Sequence, residues 1–222
     1  MRFGLQNLAL AALSSASFTL AQKAVPATGE PHHHTIYEDS RVRTLAVQIQ
    51  PGDSMLPHRH DSDYAWVDDA GIHFSRAGAT HPERNHELIV ELLQRQTGAR
   101  NVCGEILAGE YLHCHEPGPE WLGANLEIQF ETDQTRVGIL RIAPDARLAI
   151  PPAEVPPLLI PLEGTEAEVV SRVNGAPAGS SSRRILSAVE VLRAPADHVS
   201  EVRNLGKTTA RFLVVEFGGA GE

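Results

Sequence analysis

The chain has 222 residues, which is enough for one large domain or two small ones. Its formal net charge is −9 and no basic cluster stands out, so binding to nucleic acid or to an anionic membrane is not expected, because both need a positive surface. A hydrophobic fraction of 42%, together with 18 Gly and 15 Pro, is typical of a globular protein.

Residues 1–21 have the pattern of a secretory signal peptide. A positive charge at Arg2 precedes a short apolar stretch, Leu8 to Leu13, and Thr19-Leu20-Ala21 fits a small-x-small cleavage site. The stretch is too short and too rich in Ser to span a bilayer. The alternative is an N-terminal helix of a soluble domain. We therefore expect a secreted or periplasmic protein that leaves the membrane once the signal is removed.

Residues 22–34 follow as an expected N-terminal tether, and three consecutive histidines, His32 to His34, stand at its end. We interpret these histidines as a solvated end of the first strand, with adventitious metal capture as the alternative. From residue 35 onward, short β-branched segments alternate with Gly, Pro and Asp. Many short strands with closely spaced turn signals predict an all-β sandwich or barrel.

Predicted strands fall in two groups that align with each other. The first group covers 43–49, 63–67, 71–75 and 87–93, and the second covers 126–130, 136–142, 157–162, 166–173, 188–192 and 210–217. The stretch 38–57 aligns with 131–150, and Pro51 then lies over Pro144. The chain is therefore predicted to hold a duplicated β-domain. The units are 35–116 and 120–219, joined at a Pro/Gly-rich stretch around residues 115–123.

His58 and His60 are separated by one residue in a predicted strand, so their side chains share a face of the sheet. They are either polar residues on that face or half of a metal site. His81 can reach the same point from a neighbouring strand if the sheet closes into a barrel. Three imidazoles on one side of a point leave coordination positions open for water, substrate or dioxygen.

These residues resemble the two sequence motifs of the cupin superfamily, in register over both motifs: Gly52, His58, His60, Tyr64 and Gly71 for the first, and Arg76, Gly78, His81 and Asn85 for the second. The resemblance implies two tandem cupin-type jelly-roll β-barrels. It also implies a divalent transition metal (Fe, Mn, Ni, Cu or Zn) on His58, His60 and His81. The implied activity is a dioxygenase-like oxidation of a small organic substrate.

Two features depart from the family pattern. Tyr64 stands where the family has a Glu ligand, and a phenol is a poor ligand because its ordinary pKa is near 10. Tyr64 is instead a candidate catalytic residue that donates a hydrogen bond or a proton to the bound species. The two motifs also nearly meet at Ala70-Gly71, so the first barrel should be shortened and open to solvent.

Cys103 and Cys114 are the two cysteines of the chain. A two-residue turn at Ala108-Gly109 would place them opposite each other across a hairpin, and a disulfide is then plausible in an oxidising compartment. The alternative is a metal site made with His113 and His115.

The second unit has lost all three ligand positions, which hold Pro151, Ala153 and Ser200. We expect it to be structural: packing on the first unit, covering sheet edges or helping to form a homodimer. The alternative function for the whole chain is a non-catalytic cupin-fold protein that binds a small molecule or acts through protein contacts.

Overall fold

A computed structural model of the chain describes residues 23–68, 71–78, 88–98, 100–101, 105–106, 110–111, 126–162, 165–173, 181–186 and 190–218. The expected signal peptide, His81, Cys103 and Cys114 lie outside these ranges. Within them, the chain forms β-strands and a 3-10 turn at Ala27–Gly29, so the all-β prediction is confirmed. No helix of the described residues has the length and apolar character to cross a membrane.

The first half forms a five-stranded antiparallel sheet with a two-stranded parallel pair beside it. The five-stranded sheet has the order β2-β3-β7-β5-β6, and β1 pairs with β4. The bounds are β1 Val25–Pro26, β2 His33–Glu38, β3 Val42–Val47, β4 His58–Arg59, β5 Asp63–Asp68, β6 Gly71–Ser75 and β7 Leu88–Leu92. Three short strands follow, β8 Arg100–Asn101, β9 Glu105–Ile106 and β10 Glu110–Tyr111.

The second half consists of two antiparallel sheets, ordered β17-β14-β19-β12-β11-β8 and β13-β18-β15-β16. A shared apolar core that includes Ile150, Val169, Val202 and Phe212 draws on both sheets. Each Val, Leu, Ile or Phe removed from water there contributes about 1.5–3 kcal/mol. The bounds are β11 Leu126–Glu131, β12 Thr135–Ile142, β13 Arg147–Ile150, β14 Leu158–Pro161, β15 Ala167–Val173, β16 Ser181–Leu186, β17 Leu192–Arg193, β18 His198–Asn204 and β19 Ala210–Phe217.

The two halves share a strand order, as the internal repeat predicts. The five-stranded sheet of the first half has the order β2-β3-β7-β5-β6. The six-stranded sheet of the second half contains five neighbouring strands in the corresponding order, β11-β12-β19-β14-β17. Both first hairpins carry a register shift at the same place, between Thr35 and Tyr37 in one and between Ile128 and Phe130 in the other. A bulge is a specific local feature, so its recurrence supports a duplicated unit.

The two repeated sheets pack against each other. Val42, Ala65 and Val90 of the first sheet share a buried cluster with Val137 and Val215 of the second. Strand β19 is apolar on both faces because it serves two cores: Phe212 and Val214 belong to the second-half core, whereas Leu213 and Val215 belong to this joint cluster. Continuous apolar runs are typical of strands buried on both faces.

Polar contacts at the rim also join the halves. The backbone N–H of Ile72 on β6 donates to the Gln129 Oε1 of β11 at 2.9 Å. Arg193 on β17 forms an ion pair with Asp39 and donates to the Tyr37 hydroxyl at 3.1 Å. Each contact joins the first strand of one repeated sheet, β2 or β11, or the turn after it, to the strand at the far end of the other sheet, β17 or β6.

The segment expected as a loose tether is packed. The N–H of Val25 donates to the Pro57 carbonyl at 2.9 Å, and β1 pairs with the strand that carries His58. Ala27 and Glu30 are buried. The expectation rested on the turn-forming composition of "KAVPATGEP". It failed because contacts with residues 56–59, far along the chain, hold this segment in place.

Candidate functional site

Two of the predicted ligands lie side by side. His58 is on β4 and His60 follows directly, and their ring centroids are 5.6 Å apart with the planes nearly perpendicular, at 83°. His60 is buried and His58 is half-buried. The pairing of β4 with β1 fixes the backbone at this point and the two rings lie close together, whereas their role as metal ligands stays a prediction.

Both rings are held by their Nδ1 atoms. Nδ1 of His58 lies 3.0 Å from the Leu56 carbonyl oxygen, and Nδ1 of His60 lies 3.0 Å from Glu91 Oε1. A carbonyl oxygen and an ionised carboxylate can only accept, so each Nδ1 carries the proton and donates. In a neutral imidazole the lone pair then sits on Nε2, the form in which histidine binds metals.

Glu91 is a buried acid that motif reading missed. It lies on β7 directly opposite Arg43 on β3 and Tyr64 on β5. Its second oxygen accepts from Arg43 Nη1 at 2.9 Å. The available signal was an acid inside the apolar run "LIVEL", because buried acids are rare unless paired.

Glu91 is ionised in this setting. Burial by itself raises the pKa of the Glu91 carboxyl, but hydrogen bonds from His60 and Arg43, together with the positive charge of Arg43, outweigh it and lower the pKa below its ordinary value. Arg43 also donates to Glu38 at 2.8 and 3.1 Å, and its pKa is raised by these contacts. The result is a chain of contacts from Glu38 through Arg43 and Glu91 to His60.

Tyr64, the predicted catalytic residue, is buried beneath His60. The two rings stack with centroids 4.0 Å apart and planes at 28°. Tyr64 also packs with Leu45, Val47 and Ile89. The structure thus places Tyr64 next to one predicted ligand, and its role toward a bound species stays a prediction.

His33 is a third imidazole of this cluster, although it was interpreted as part of a solvated end. It is 7% exposed, and its ring lies 4.7 Å from that of His58 and 5.8 Å from that of His60. Its Nδ1 lies 2.9 Å from the Ala27 carbonyl oxygen. The interpretation was wrong because alternation on β2 turns His33 inward and His34 outward.

The remaining predicted site residues, His81, Cys103 and Cys114, fall outside the described part of the chain. Within that part, no group of three or more His, Cys, Asp or Glu side chains is arranged to hold a metal ion. His58 and His60 therefore supply two of the three predicted ligands, and the third stays a prediction.

At the corresponding positions of the second half, the structure shows an ordinary packed unit. Ser200, which stands where the motif has a histidine, is buried and shares a hydrogen bond of 2.8 Å with Ser171. Asn204 donates to the Ile142 and Thr208 carbonyls at 2.9 and 2.8 Å, which closes a turn. These polar groups satisfy one another within the fold.

No protein-family model matches the chain, and no curated protein matches it. Among solved structures, AerE from Microcystis aeruginosa aligns over 85% of this chain and 98% of its own, with 12% identity and a TM-score of 0.43. A cupin domain from Bordetella pertussis aligns over 42% and 92%, with 15% identity and a TM-score of 0.33.

A third structure, Drosophila melanogaster CENP-C bound to CAL1, aligns over 36% of this chain, with 12% identity and a TM-score of 0.32. This chain spans only 59% of the length of that structure. Likenesses at this level concern the fold alone. Nothing about activity, metal or partners follows from them.

Proposed function

We propose that the first unit of this cupin-type protein binds a divalent transition metal through His58, His60 and His81, and that the second unit is its scaffold. One observation carries the proposal: two adjacent imidazoles both have Nδ1 held by an oxygen acceptor, which leaves Nε2 as the metal-binding atom of each.

The surroundings fit a cation. Three neutral imidazoles bring no charge of their own, whereas Glu91, ionised and in contact with His60, places a negative charge directly behind one ligand. Hydrogen bonds of this kind orient a ligating histidine and raise its basicity. Imidazole suits Fe, Mn, Ni, Cu and Zn alike, so the donor set does not select among them.

A bound ion would polarise a small organic ligand or dioxygen at its open positions. The residues of this chain would do the rest: Glu91 keeps the proton on Nδ1 of His60, and Arg43 keeps Glu91 ionised. Tyr64 packs against the ring of His60 and fixes its plane. A dioxygenase-like oxidation of a small molecule is the proposed activity, and metal binding without catalysis is the alternative.

The test is metal binding by the full chain without a histidine tag. Zinc and cobalt titrations by calorimetry should give one ion per chain, and the visible spectrum of the cobalt form should report imidazole ligands. His58→Ala, His60→Ala and His81→Ala should each abolish stoichiometric binding. The matched control is His198→Ala, a histidine of the second unit, which should bind as the parent does.

Glu91→Gln tests the second layer of the site. The variant keeps an oxygen acceptor but loses the charge behind His60, so zinc affinity should fall by about 10–100-fold. Absence of binding in the parent chain, or binding that survives loss of His58 or His60, would contradict the proposal. In the first case the chain is a non-catalytic protein of this fold.

Export is proposed with the site. If residues 1–21 are a signal peptide, the mature chain should begin near Gln22, and Cys103 and Cys114 should be joined in the oxidising compartment. Intact-mass measurement of the secreted protein, with and without reduction, would show both. A retained N-terminus or two free thiols would contradict it.

A further inference from the structure

Residues 48–57, which connect β3 to β4, cover the imidazole side of the five-stranded sheet. Ile49 and Met55 of this loop pack on the cluster that contains Tyr64. The loop leads directly into His58. The loop therefore packs on the same side of the sheet as Tyr64 and immediately precedes His58.

A histidine bridges this loop to the N-terminal segment. Nδ1 of His32 lies 2.9 Å from Glu30 Oε1, and its Nε2 lies 3.2 Å from Asp53 Oδ2. Both partners are carboxylates, which accept when ionised. A neutral imidazole has a single N–H, so it cannot donate to both, and the bridge requires the doubly protonated imidazolium.

Each end of the bridge is anchored to backbone of the loop. Glu30 is buried and accepts from the N–H of His32 at 2.6 Å and from the N–H of Leu56 at 3.3 Å. Asp53 Oδ2 also accepts from the N–H of Gln50 at 3.0 Å. The bridge thus ties the segment before β2 to both ends of the loop.

The bridging charges depend on pH in a defined direction. The hydrogen bond to Glu30 is the largest influence on His32 and, with Asp53 and against burial, raises its pKa above the ordinary 6.5. Burial by itself raises the pKa of Glu30, but hydrogen bonds from His32 and Leu56 outweigh it and bring the pKa below 4.5. Among the described residues, Glu30 and Asp53 are the charged groups that face His32.

These pKa shifts determine the pH range in which the His32 bridge is formed. A histidine whose pKa is raised on folding stabilises fully below its unfolded pKa, and the stabilisation is lost as the pH rises through the folded pKa. A lowered carboxyl pKa stabilises above its unfolded value and is lost as the pH falls. The bridge is therefore intact in mildly acidic solution and weakens on the alkaline side of pH 6.5.

We propose that Glu30, His32 and Asp53 form a pH-dependent latch that holds the 48–57 loop over the imidazole face and releases it as the pH rises. The longer, more exposed contact to Asp53 opens first, because Glu30 keeps its bonds to the backbone N–H groups of His32 and Leu56. The latch itself requires no metal, whereas its effect on ligand access rests on the proposed function.

The experiment is a proton–nitrogen NMR titration of the metal-free full chain between about pH 5 and 9. The His32 ring should titrate with a midpoint above 6.5, and the Gln50 amide, which donates to Asp53, should shift with the same midpoint. In His32→Gln the Gln50 amide should lose that titration and resemble its high-pH position throughout. His34→Gln, which changes an exposed neighbouring histidine, should leave the titration intact.

A Gln50 amide that is indifferent to pH, or one that titrates equally in His32→Gln, overturns the latch. If His32→Gln fails to fold, Asp53→Asn gives the same test from the loop side, since it removes one charged acceptor at the surface. The zinc titration is scored separately. If the chain does not bind zinc but the Gln50 amide still titrates as expected, the proposed metal site is overturned and the latch is not.

Discussion

The two repeated units share a sheet order and a bulge, yet their inner faces differ in chemistry. The alignment that places Pro51 over Pro144 extends along both units. In it, His33 corresponds to Leu126 and Tyr64 to Pro157. His58 and His60 correspond to Pro151 and Ala153. Leu126 belongs to the apolar core of the second unit, whereas His33 contacts the rings of His58 and His60. One scaffold thus supports a packed core in one copy and an imidazole cluster in the other.

An Arg–Glu pair on neighbouring strands occurs in both units and allows a direct comparison. Arg43 is opposite Glu91 in one sheet and Arg136 is opposite Glu216 in the other. Arg43 and Glu91 are 2.9 Å apart, whereas Arg136 and Glu216 are 3.9 Å apart. The pKa of Glu91 is lowered, while burial raises that of Glu216 despite Arg136. Of these two carboxylates, the negative charge is stabilised in the one that has both a closer arginine and a hydrogen bond from His60.

The largest expected loss of stability comes from a substitution in the core of the second unit. Phe212→Ala removes a fully buried ring from the core of the second unit and should lower the free energy of unfolding by about 3–5 kcal/mol. Denaturant titration would measure it. Zinc binding by the folded fraction should be unchanged, and a zinc affinity that fell with stability would contradict the division of roles between the units.

The Arg–Glu pair gives a matched comparison of intermediate size. Arg43→Met leaves Glu91 buried without its arginine partner and with the hydrogen bond from His60, and should cost about 1.5–3 kcal/mol. Arg136→Met removes a longer contact at a partly exposed side chain and should cost about 0–1 kcal/mol. Equal losses of unfolding free energy in the two variants would show that the two Arg–Glu pairs are energetically equivalent despite their different distances.

The smallest predicted effects are changes in stability of opposite sign when Glu91 or Glu216 is replaced by Gln. A lowered carboxyl pKa contributes stability above pH 4.5 that is lost as the pH falls from 4.5 through the lowered pKa, so Glu91→Gln should destabilise at neutral pH and progressively less in acid. A raised pKa means that ionisation opposes folding, so Glu216→Gln should stabilise at neutral pH and lose that advantage in acid. Melting temperatures at several pH values would record both. Changes of the same sign would remove the contrast between the units.

Much of the fold was predictable because strand periodicity and turn residues are local signals. The predicted strands at 43–49, 63–67, 136–142 and 210–217 all appear. Strands β13, β16 and β18 were missed, since "RLAI" is short, "SSRRIL" is polar, and the first strand residues of "HVSEVRN" follow Pro and Asp closely. Strands β13 and β18 pair with strands far along the chain and β16 pairs with β15, so each forms through its partner rather than through its own composition.

The sequence by itself determined the all-β class, the repeat and the adjacency of His58 and His60, because periodicity and residue spacing act within a few positions. Only the tertiary structure decided that His33 joins them, that Glu91 lies behind His60, and that the supposed tether packs against the strand of His58. Those contacts join residues 25 to 33 positions apart, whose meeting depends on sheet order and register, which no local pattern encodes.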